Sequence, residues 1–212
     1  MKFTFDNRTT VYLSPLIPYL AVAIGMYWLG SGLLAIGLYH AGLISVMLIC
    51  KRHDESRKTI LGNFKWSYAA TAAIFALGGV ILYNAWPYLN TSGTSVSDRL
   101  LAYGINKHNW PYFCVYFCLC NSTLEEIFWR GFHRNDCARL DKNDLFFAGY
   151  HAFVLAAFAK PLWMLPVFMS CAFAGWLWRI LRRMSGGLTL PIITHIIADA
   201  SIVFAVYMRI YK

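Results

Sequence analysis

Apolar segments of helix length follow one another along this chain of 212 residues, with short polar connections between them. A helix needs about 20 apolar residues to cross a bilayer, and it satisfies its backbone hydrogen bonds internally while doing so. Apolar residues make up 58% of the sequence and charged residues only 14%. Soluble domains have about 25% charged residues. The chain is therefore predicted to be all-α, a polytopic transmembrane helical bundle.

The lengths of the apolar segments predict about seven transmembrane helices, with six and eight as the outer limits. Gly30-Ser31-Gly32 divides the longest stretch into a hairpin, and Gly186-Gly187 precedes the last segment. Pro166 is expected to bend the sixth helix. The predicted helices cover residues 11–29, 33–50, 66–86, 110–133, 144–159, 162–183 and 188–208.

We expect a single integral-membrane domain over residues 1–212, in which residues 1–100 supply the N-terminal transmembrane helices. Residues 110–210 form the helical core that carries the polar motifs described below. The six cysteines contain no CxxC pair, so neither a thiol-zinc site nor a disulfide framework is expected.

Basic residues lie between the apolar segments and give the chain a net charge of +9. They are scattered in short clusters, at 51–65, 134–142 and 179–183, which is typical of cytoplasmic loops beside anionic lipid head groups. This scattering argues against nucleic-acid binding. The positive-inside rule predicts a cytoplasmic N-terminus in a multi-pass protein of the bacterial cytoplasmic membrane, with Arg209 and Lys212 as the one mismatch.

Six ionisable residues stand inside three of the apolar segments, where hydrocarbon disfavours them. Such residues mark functional sites that face other helices or a water-filled cavity. We estimate the depth of these ionisable residues by counting 1.5 Å per residue from the end of each segment. In all three helices they lie roughly 10–12 Å from the same membrane surface. The six residues are Glu125, Glu126, Arg130, His151, His195 and Asp199.

Spacing within the helices suggests how these groups pair. Glu126 and Arg130 are four residues apart and share a helix face, so Arg130 is expected to neutralise Glu126. Glu125 is offset by about 100° and would stay free to act. His195 and Asp199 also share a face, and Asp199 could orient His195, act in its own right or ligate a metal with it.

Glutamate and histidine in a partly dry cavity suit general-base activation of water, with a second histidine stabilising an oxyanion. Glu125, His151 and His195 are also adequate ligands for zinc, although no HExxH motif is present. Structural ion pairs, hydrogen bonds between helices and a proton or ion pathway remain alternatives. The other histidines are placed at helix ends or in loops by the predicted segments and are assigned no role: His40, His53, His108 and His133.

At these residues the chain resembles the CPBP intramembrane proteases, which include the CAAX prenyl endopeptidases and bacteriocin-processing or Abi-type immunity proteins. The family pattern is EExxxR, then FxxxH, then HxxxN or HxxxD on successive membrane helices. Here it reads Glu125-Glu126 to Arg130, Phe147 to His151, and His195 to Asp199. The resemblance covers about residues 121–203.

The resemblance implies an intramembrane endopeptidase, of glutamic or metallo type, that acts on a membrane-associated peptide or protein tail near the cytoplasmic side. Glu125 and His151 would activate the water, His195 and residue 199 would form the oxyanion site, and Arg130 would hold Glu126. Asp199 departs from the CAAX enzymes, where asparagine is usual, and this makes prenylated substrates doubtful. The alternatives are a non-proteolytic immunity or scaffold protein and a proton-coupled transporter.

Overall fold

The computed structural model describes residues 7–50, 62, 69–89 and 95–212, and this part of the chain is helical and free of β-strands. The start of the third predicted helix at Trp66, His53 and the basic cluster at 51–65 lie outside the described residues. The helices are α1 (Arg8–Trp28), α2 (Gly32–Ile49), α3 (Ala69–Leu89), α4 (Val96–Ala102), α5 (residues 110–132), α6 (Lys142–Leu155), α7 (Met164–Ser185) and α8 (Thr189–Ile210).

Five of these helices are long and apolar enough to cross a membrane: α1, α2, α3, α7 with the turn before it, and α8. The prediction of an all-α transmembrane bundle is therefore confirmed, and the chain is an integral membrane protein. The other two predicted segments form α5 and α6, which are not among these five helices. The number of membrane spans therefore stays a prediction. The short helix α4, which Ser95 caps, was missed because its seven residues carry too little apolar pattern.

Glycine permits the two tight turns that the sequence predicted. Gly30, at φ 63°, ends the first helix, and the side chain of Ser31 caps α2. The hairpin is close, since a Cβ on Gly25 would lie 2.3 Å from the Cα of Ala35. Gly186, at φ 70°, ends α7 in the left-handed conformation that glycine adopts at little cost.

Proline positions mark two differences from the predicted helices. The third helix continues past the predicted end at Trp86 to Leu89, with Pro87 inside its last turn. Pro166 falls in the first turn of α7, where the missing N–H has no helical partner to lose. The predicted bend at that residue stays a prediction.

Helix α6 ends at Leu155, earlier than predicted, and a capping box of Asp141 and Asp144 fixes its start.

Helix α5 contains two π-helical stretches, Phe117–Asn121 and Glu126–Phe132, on either side of Ser122–Glu125. A π-turn inserts an extra residue into the helical ladder and is frequent at functional sites. The polar residues of α5 stand at this irregular part of the helix. Its geometry therefore sets which of their side chains face α6 and α8.

Two buried arginines of α7 fasten the connection between α5 and α6. Arg179 bonds Asp144 with Nη2 to Oδ2 at 2.6 Å and Nε to Oδ1 at 3.2 Å, and it also reaches the carbonyls of Cys137 and Arg139. Arg182 bonds Asp136 and the carbonyl of Asn135. The interpretation of Arg179 and Arg182 as loop charges beside lipid head groups was therefore wrong, because both are 3% exposed and paired within the protein.

Asp136 lies in this connection, outside the spanning helices. Its hydrogen bond from Arg182 lowers the pKa of the carboxyl below its ordinary value. A depressed pKa in the folded state contributes stability above the unfolded pKa, and that contribution is lost as the pH falls through the folded value. The packing of the α5–α6 connection against α7 should therefore weaken only when the pH falls through the folded-state pKa of Asp136.

All six cysteines are free thiols. Cys114 and Cys118, which stand one helical turn apart in α5, are not bonded to each other.

The substitution Arg179→Gln should destabilise the protein by about 3–5 kcal/mol, because it leaves the buried carboxylate of Asp144 without its charge partner. Thermal unfolding in detergent measures the effect. The matched control is Arg183→Gln, which removes an exposed charge four residues further along α7. Equal unfolding midpoints for the two variants would show that the buried pair does not hold the connection.

Candidate active site

The centre of the polar cluster is the carboxylate of Glu126. Its Oε1 accepts a hydrogen bond from Nη1 of Arg130 at 2.9 Å and another from Nδ1 of His195 at 2.8 Å. All three side chains are at most 2% exposed. The predicted pairing of Glu126 with Arg130 is confirmed, and the same oxygen also joins α5 to α8.

Aromatic rings enclose the cationic partner. The guanidinium carbon of Arg130 lies 4.4 Å from the centre of the Phe147 ring and 5.2 Å from that of Trp178. A Cβ on Gly175 would approach Nη2 of Arg130 to 3.1 Å, so glycine at this position in α7 leaves room for the guanidinium. Arg130 is therefore held by packing as well as by its ion pair.

The second nitrogen of His195 faces two further carboxylates. Nε2 lies 3.8 Å from Oε2 of Glu125 and 3.7 Å from Oδ1 of Asp199. The ring stacks on Trp178 with centroids 3.9 Å apart, which fixes its plane. Because Nδ1 is engaged by Glu126, Nε2 is the nitrogen that faces the space between Glu125 and Asp199.

Glu125 is 1% exposed, and the hydroxyl of Tyr150 donates to its Oε1. Its Oε2 is buried without a hydrogen-bond partner among the described residues. A buried carboxylate oxygen that lacks a partner is costly and calls for a functional explanation. Sequence reasoning missed Tyr150, although it stands directly before His151.

His151 joins this group through Tyr150, whose hydroxyl oxygen lies 3.3 Å from Nε2 of His151. The other nitrogen, Nδ1, lies 2.8 Å from the carbonyl oxygen of Phe147, which can only accept. Nδ1 therefore carries a proton, and in the neutral ring Nε2 keeps its lone pair. Since the single proton of Tyr150 goes to Glu125, that lone pair remains available.

Asp199 is held from the side of α5. The hydroxyl of Ser122 donates to its Oδ2 at 2.7 Å, and the side chain of Asn121 interacts with the same carboxylate. Both neighbours act as donors, so Asp199 acts as an acceptor here. The NST residues that precede the glutamate pair were not recognised as part of the site.

The assignment of no role to His40, as a residue near a helix end or loop, was wrong in its premise. His40 stands in the middle of α2 and is 4% exposed. Nε2 bonds Oδ1 of Asn121 at 3.1 Å, and Nδ1 lies 2.6 Å from the hydroxyl of Tyr116. A polar chain thus runs from Tyr116 through His40 and Asn121 to Asp199.

The structure brings the sequence-predicted residues into one cluster. Glu125, Glu126 and Arg130 of α5 meet His195 and Asp199 of α8 directly, and His151 of α6 joins through Tyr150. Their common depth below a membrane surface stays a prediction. Among the described residues, no group of three or more His, Cys, Asp or Glu side chains is arranged to hold a metal ion.

These features define an integral membrane protein with a buried glutamate–histidine cluster. Residues 107–201 match the family model described as Rce1-like, type II CAAX prenyl endopeptidase Rce1-like. The matched segment contains the whole cluster named above and spans α5 to the middle of α8. Over these residues the chain is similar to that family, and the resemblance to the CPBP intramembrane proteases predicted from the motifs is confirmed. Comparison with curated proteins and with solved structures gave no match.

The substitution His40→Phe should lower the stability of the bundle by about 1–2 kcal/mol, because it leaves the Asn121 carbonyl and the Tyr116 hydroxyl without their partner. Thermal unfolding in detergent measures the change. The control is His108→Phe, the same replacement at an exposed position. A His40→Phe variant as stable as this control would contradict the proposed contribution of the polar chain.

Proposed function

We propose that this protein is an intramembrane endopeptidase that hydrolyses a peptide bond in the tail of a membrane-associated peptide or protein. Water activated by Glu125 and His151 is the nucleophile. The observation that carries the proposal is the unpartnered Oε2 of Glu125, buried in a cluster of two histidines and two further carboxylates. The Rce1-like match supports proteolysis as the reaction class.

The two adjacent glutamates have different roles in this proposal. Oε1 of Glu126 is committed to Arg130 and His195, so this carboxylate positions other groups. Oε2 has no hydrogen-bond partner among the described residues in either glutamate. That of Glu125 lies 3.8 Å from Nε2 of His195, and Glu125 is therefore assigned to accept a proton from water. His151, whose Nε2 lone pair faces the same tyrosine hydroxyl, is the other base at the water. The water gives up one proton as it attacks the carbonyl carbon, and that proton passes to the nitrogen of the leaving amine as the C–N bond breaks.

His195 and Asp199 are assigned to the oxyanion side of the reaction. Nε2 of His195 faces the space between the two carboxylates. Because Nδ1 already donates to Glu126, Nε2 carries a proton for the oxygen of a tetrahedral intermediate when the ring is in its imidazolium form. Asp199 accepts from Ser122 at Oδ2, and in its ionised form it has no proton to donate to an oxyanion. Its role is therefore to position His195, which differs from the amide donor that asparagine would supply.

The arrangement of the side chains supports the glutamate mechanism over a zinc mechanism. Zinc binds histidine nitrogens at about 2.0–2.1 Å with tetrahedral geometry. Among the described residues, no three His, Cys, Asp or Glu side chains are grouped to hold a metal ion. The contacts of Nδ1 in His195 and His151 suit either mechanism, because a metal-ligating histidine also donates its other N–H to a carboxylate or a carbonyl.

The orientation proposed is a cytoplasmic N-terminus, which the positive-inside rule favours. The connection between α5 and α6, with its basic residues, then lies on the cytoplasmic side. The substrate would reach the cluster from that side, as a tail too polar to stay in hydrocarbon.

Replacement of His151 by alanine should lower kcat by about 10²–10⁴-fold, the usual contribution of a general base, while the unfolding midpoint stays unchanged. The measurement is cleavage of an internally quenched peptide ending in a farnesylated CAAX sequence, alongside the same peptide without the lipid. The control is His108→Ala, in an exposed connection. The proposal would be overturned if the wild-type protein cleaved neither peptide, or if the His151→Ala variant kept full activity.

Chelation separates the two chemical mechanisms. Activity of the purified protein should persist after treatment with 1,10-phenanthroline and dialysis, because the glutamate mechanism needs no metal ion. The expected result is unchanged turnover of whichever quenched peptide the wild-type protein cleaves. Loss of turnover that added zinc restores would show the metallo type instead.

A further inference from the structure

Helix α2 lies outside residues 107–201, the segment that matches the family model, and yet it reaches the glutamate–histidine cluster. Two adjacent buried residues, Tyr39 and His40, make the approach. The ring centroid of Tyr39 lies 5.4 Å from that of Tyr150 in α6, whereas His40 contacts α5. These contacts fix the position of α2 beside the cluster.

The charge of Asp199 sets the direction of the hydrogen bonds that lead to His40. An ionised carboxylate can only accept, so the side chain of Asn121 turns its NH2 group toward Asp199. The amide oxygen of Asn121 then faces His40 and accepts from Nε2 at 3.1 Å. With its proton on Nε2, the neutral ring accepts at Nδ1 from the hydroxyl of Tyr116 at 2.6 Å. Each bond therefore donates in the direction of the carboxylate.

This chain orients groups and does not conduct protons. A carboxamide is neither an acid nor a base near neutral pH, so a proton that reached His40 would stop at Asn121. What His40 does is hold one orientation of the amide. The opposite orientation would place the amide oxygen against the carboxylate of Asp199, and it would leave the N–H of His40 without an acceptor.

The orientation of Asp199 matters because its two oxygens contact different partners. Oδ2 accepts from the hydroxyl of Ser122 at 2.7 Å, and Oδ1 lies 3.7 Å from Nε2 of His195. The two donors to this carboxylate, Asn121 and Ser122, are adjacent residues of α5. Loss of the Asn121 donor would let the carboxylate rotate about its Cβ–Cγ bond, which changes the distance from Oδ1 to His195.

We propose that His40 is a positioning residue for the peptide hydrolysis, an inference that rests on the proposed function. His40 fixes the amide of Asn121, and the amide orients Asp199. Asp199 in turn orients the imidazole of His195, which contacts the tetrahedral intermediate. His40 itself touches none of the reacting atoms. Helix α2 is therefore a functional part of the site, although the sequence motifs begin only at Glu125.

The test measures kcat and KM for whichever quenched peptide the wild-type protein cleaves, below the unfolding temperature of every variant. His40→Phe should lower kcat by about tenfold to 100-fold, because a displaced catalytic group costs up to about 100-fold. KM should not change, since His40 does not touch the substrate. Asn121→Ala, which removes the link itself, should show the same loss and serves if His40→Phe does not fold.

Two further variants serve as controls for the substitution at position 40. His40→Gln, whose amide N–H can replace that of Nε2, should keep a kcat close to that of the wild-type protein. His108→Phe makes the same replacement as His40→Phe at an exposed position and should leave kcat unchanged.

A double-mutant cycle separates positioning from a general loosening of the bundle. Once Asp199→Ala has removed the carboxylate, His40→Phe should lower kcat by no more than about twofold further, because the two residues act in one chain. An equal loss with and without the carboxylate would overturn the inference. So would a glutamine variant as slow as His40→Phe, or a wild-type kcat for His40→Phe. A wild-type protein that cleaves neither peptide would instead overturn the proposed function, and this inference with it.

Discussion

The contact on which the rest of this site depends is the shared oxygen of Glu126, which accepts from Arg130 at 2.9 Å and from His195 at 2.8 Å. A carboxylate buried in a membrane bundle is costly unless charged or polar partners surround it. This one is surrounded by groups from its own helix and from α8. The pair of bonds sets the plane of the imidazole and directs its free nitrogen toward Glu125 and Asp199.

The helices around this contact are shaped to receive it. The π-helical stretch of α5 carries Glu126 and Arg130, glycine at 175 leaves space for the guanidinium, and the Trp178 ring covers both Arg130 and His195. Arg179, one residue further along α7, fastens the connection that precedes α6. The same helix thus positions the reactive cluster and closes the end of the bundle nearest to it.

Much of this arrangement was predictable, because spacing along a helix is a local property. The i, i+4 pair of Glu126 and Arg130 and the shared face of His195 and Asp199 follow from helical geometry alone. The partners between helices were not: Tyr150, Ser122, Asn121 and His40 are ordinary residues of apolar segments until packing brings them together. Arg179 and Arg182 were misread for the same reason, since charge at a helix end gives no sign of a buried carboxylate opposite it.

The measurement that tests the central claim most directly compares Glu125→Gln with Glu126→Gln by thermal unfolding and by cleavage of the quenched peptide. The division of roles predicts that Glu125→Gln unfolds at the wild-type midpoint but loses cleavage. Glu126→Gln, which strips the charge partner from a buried arginine, should lose about 3–5 kcal/mol of stability. Full cleavage by the Glu125 variant, or wild-type stability of the Glu126 variant, would contradict the account.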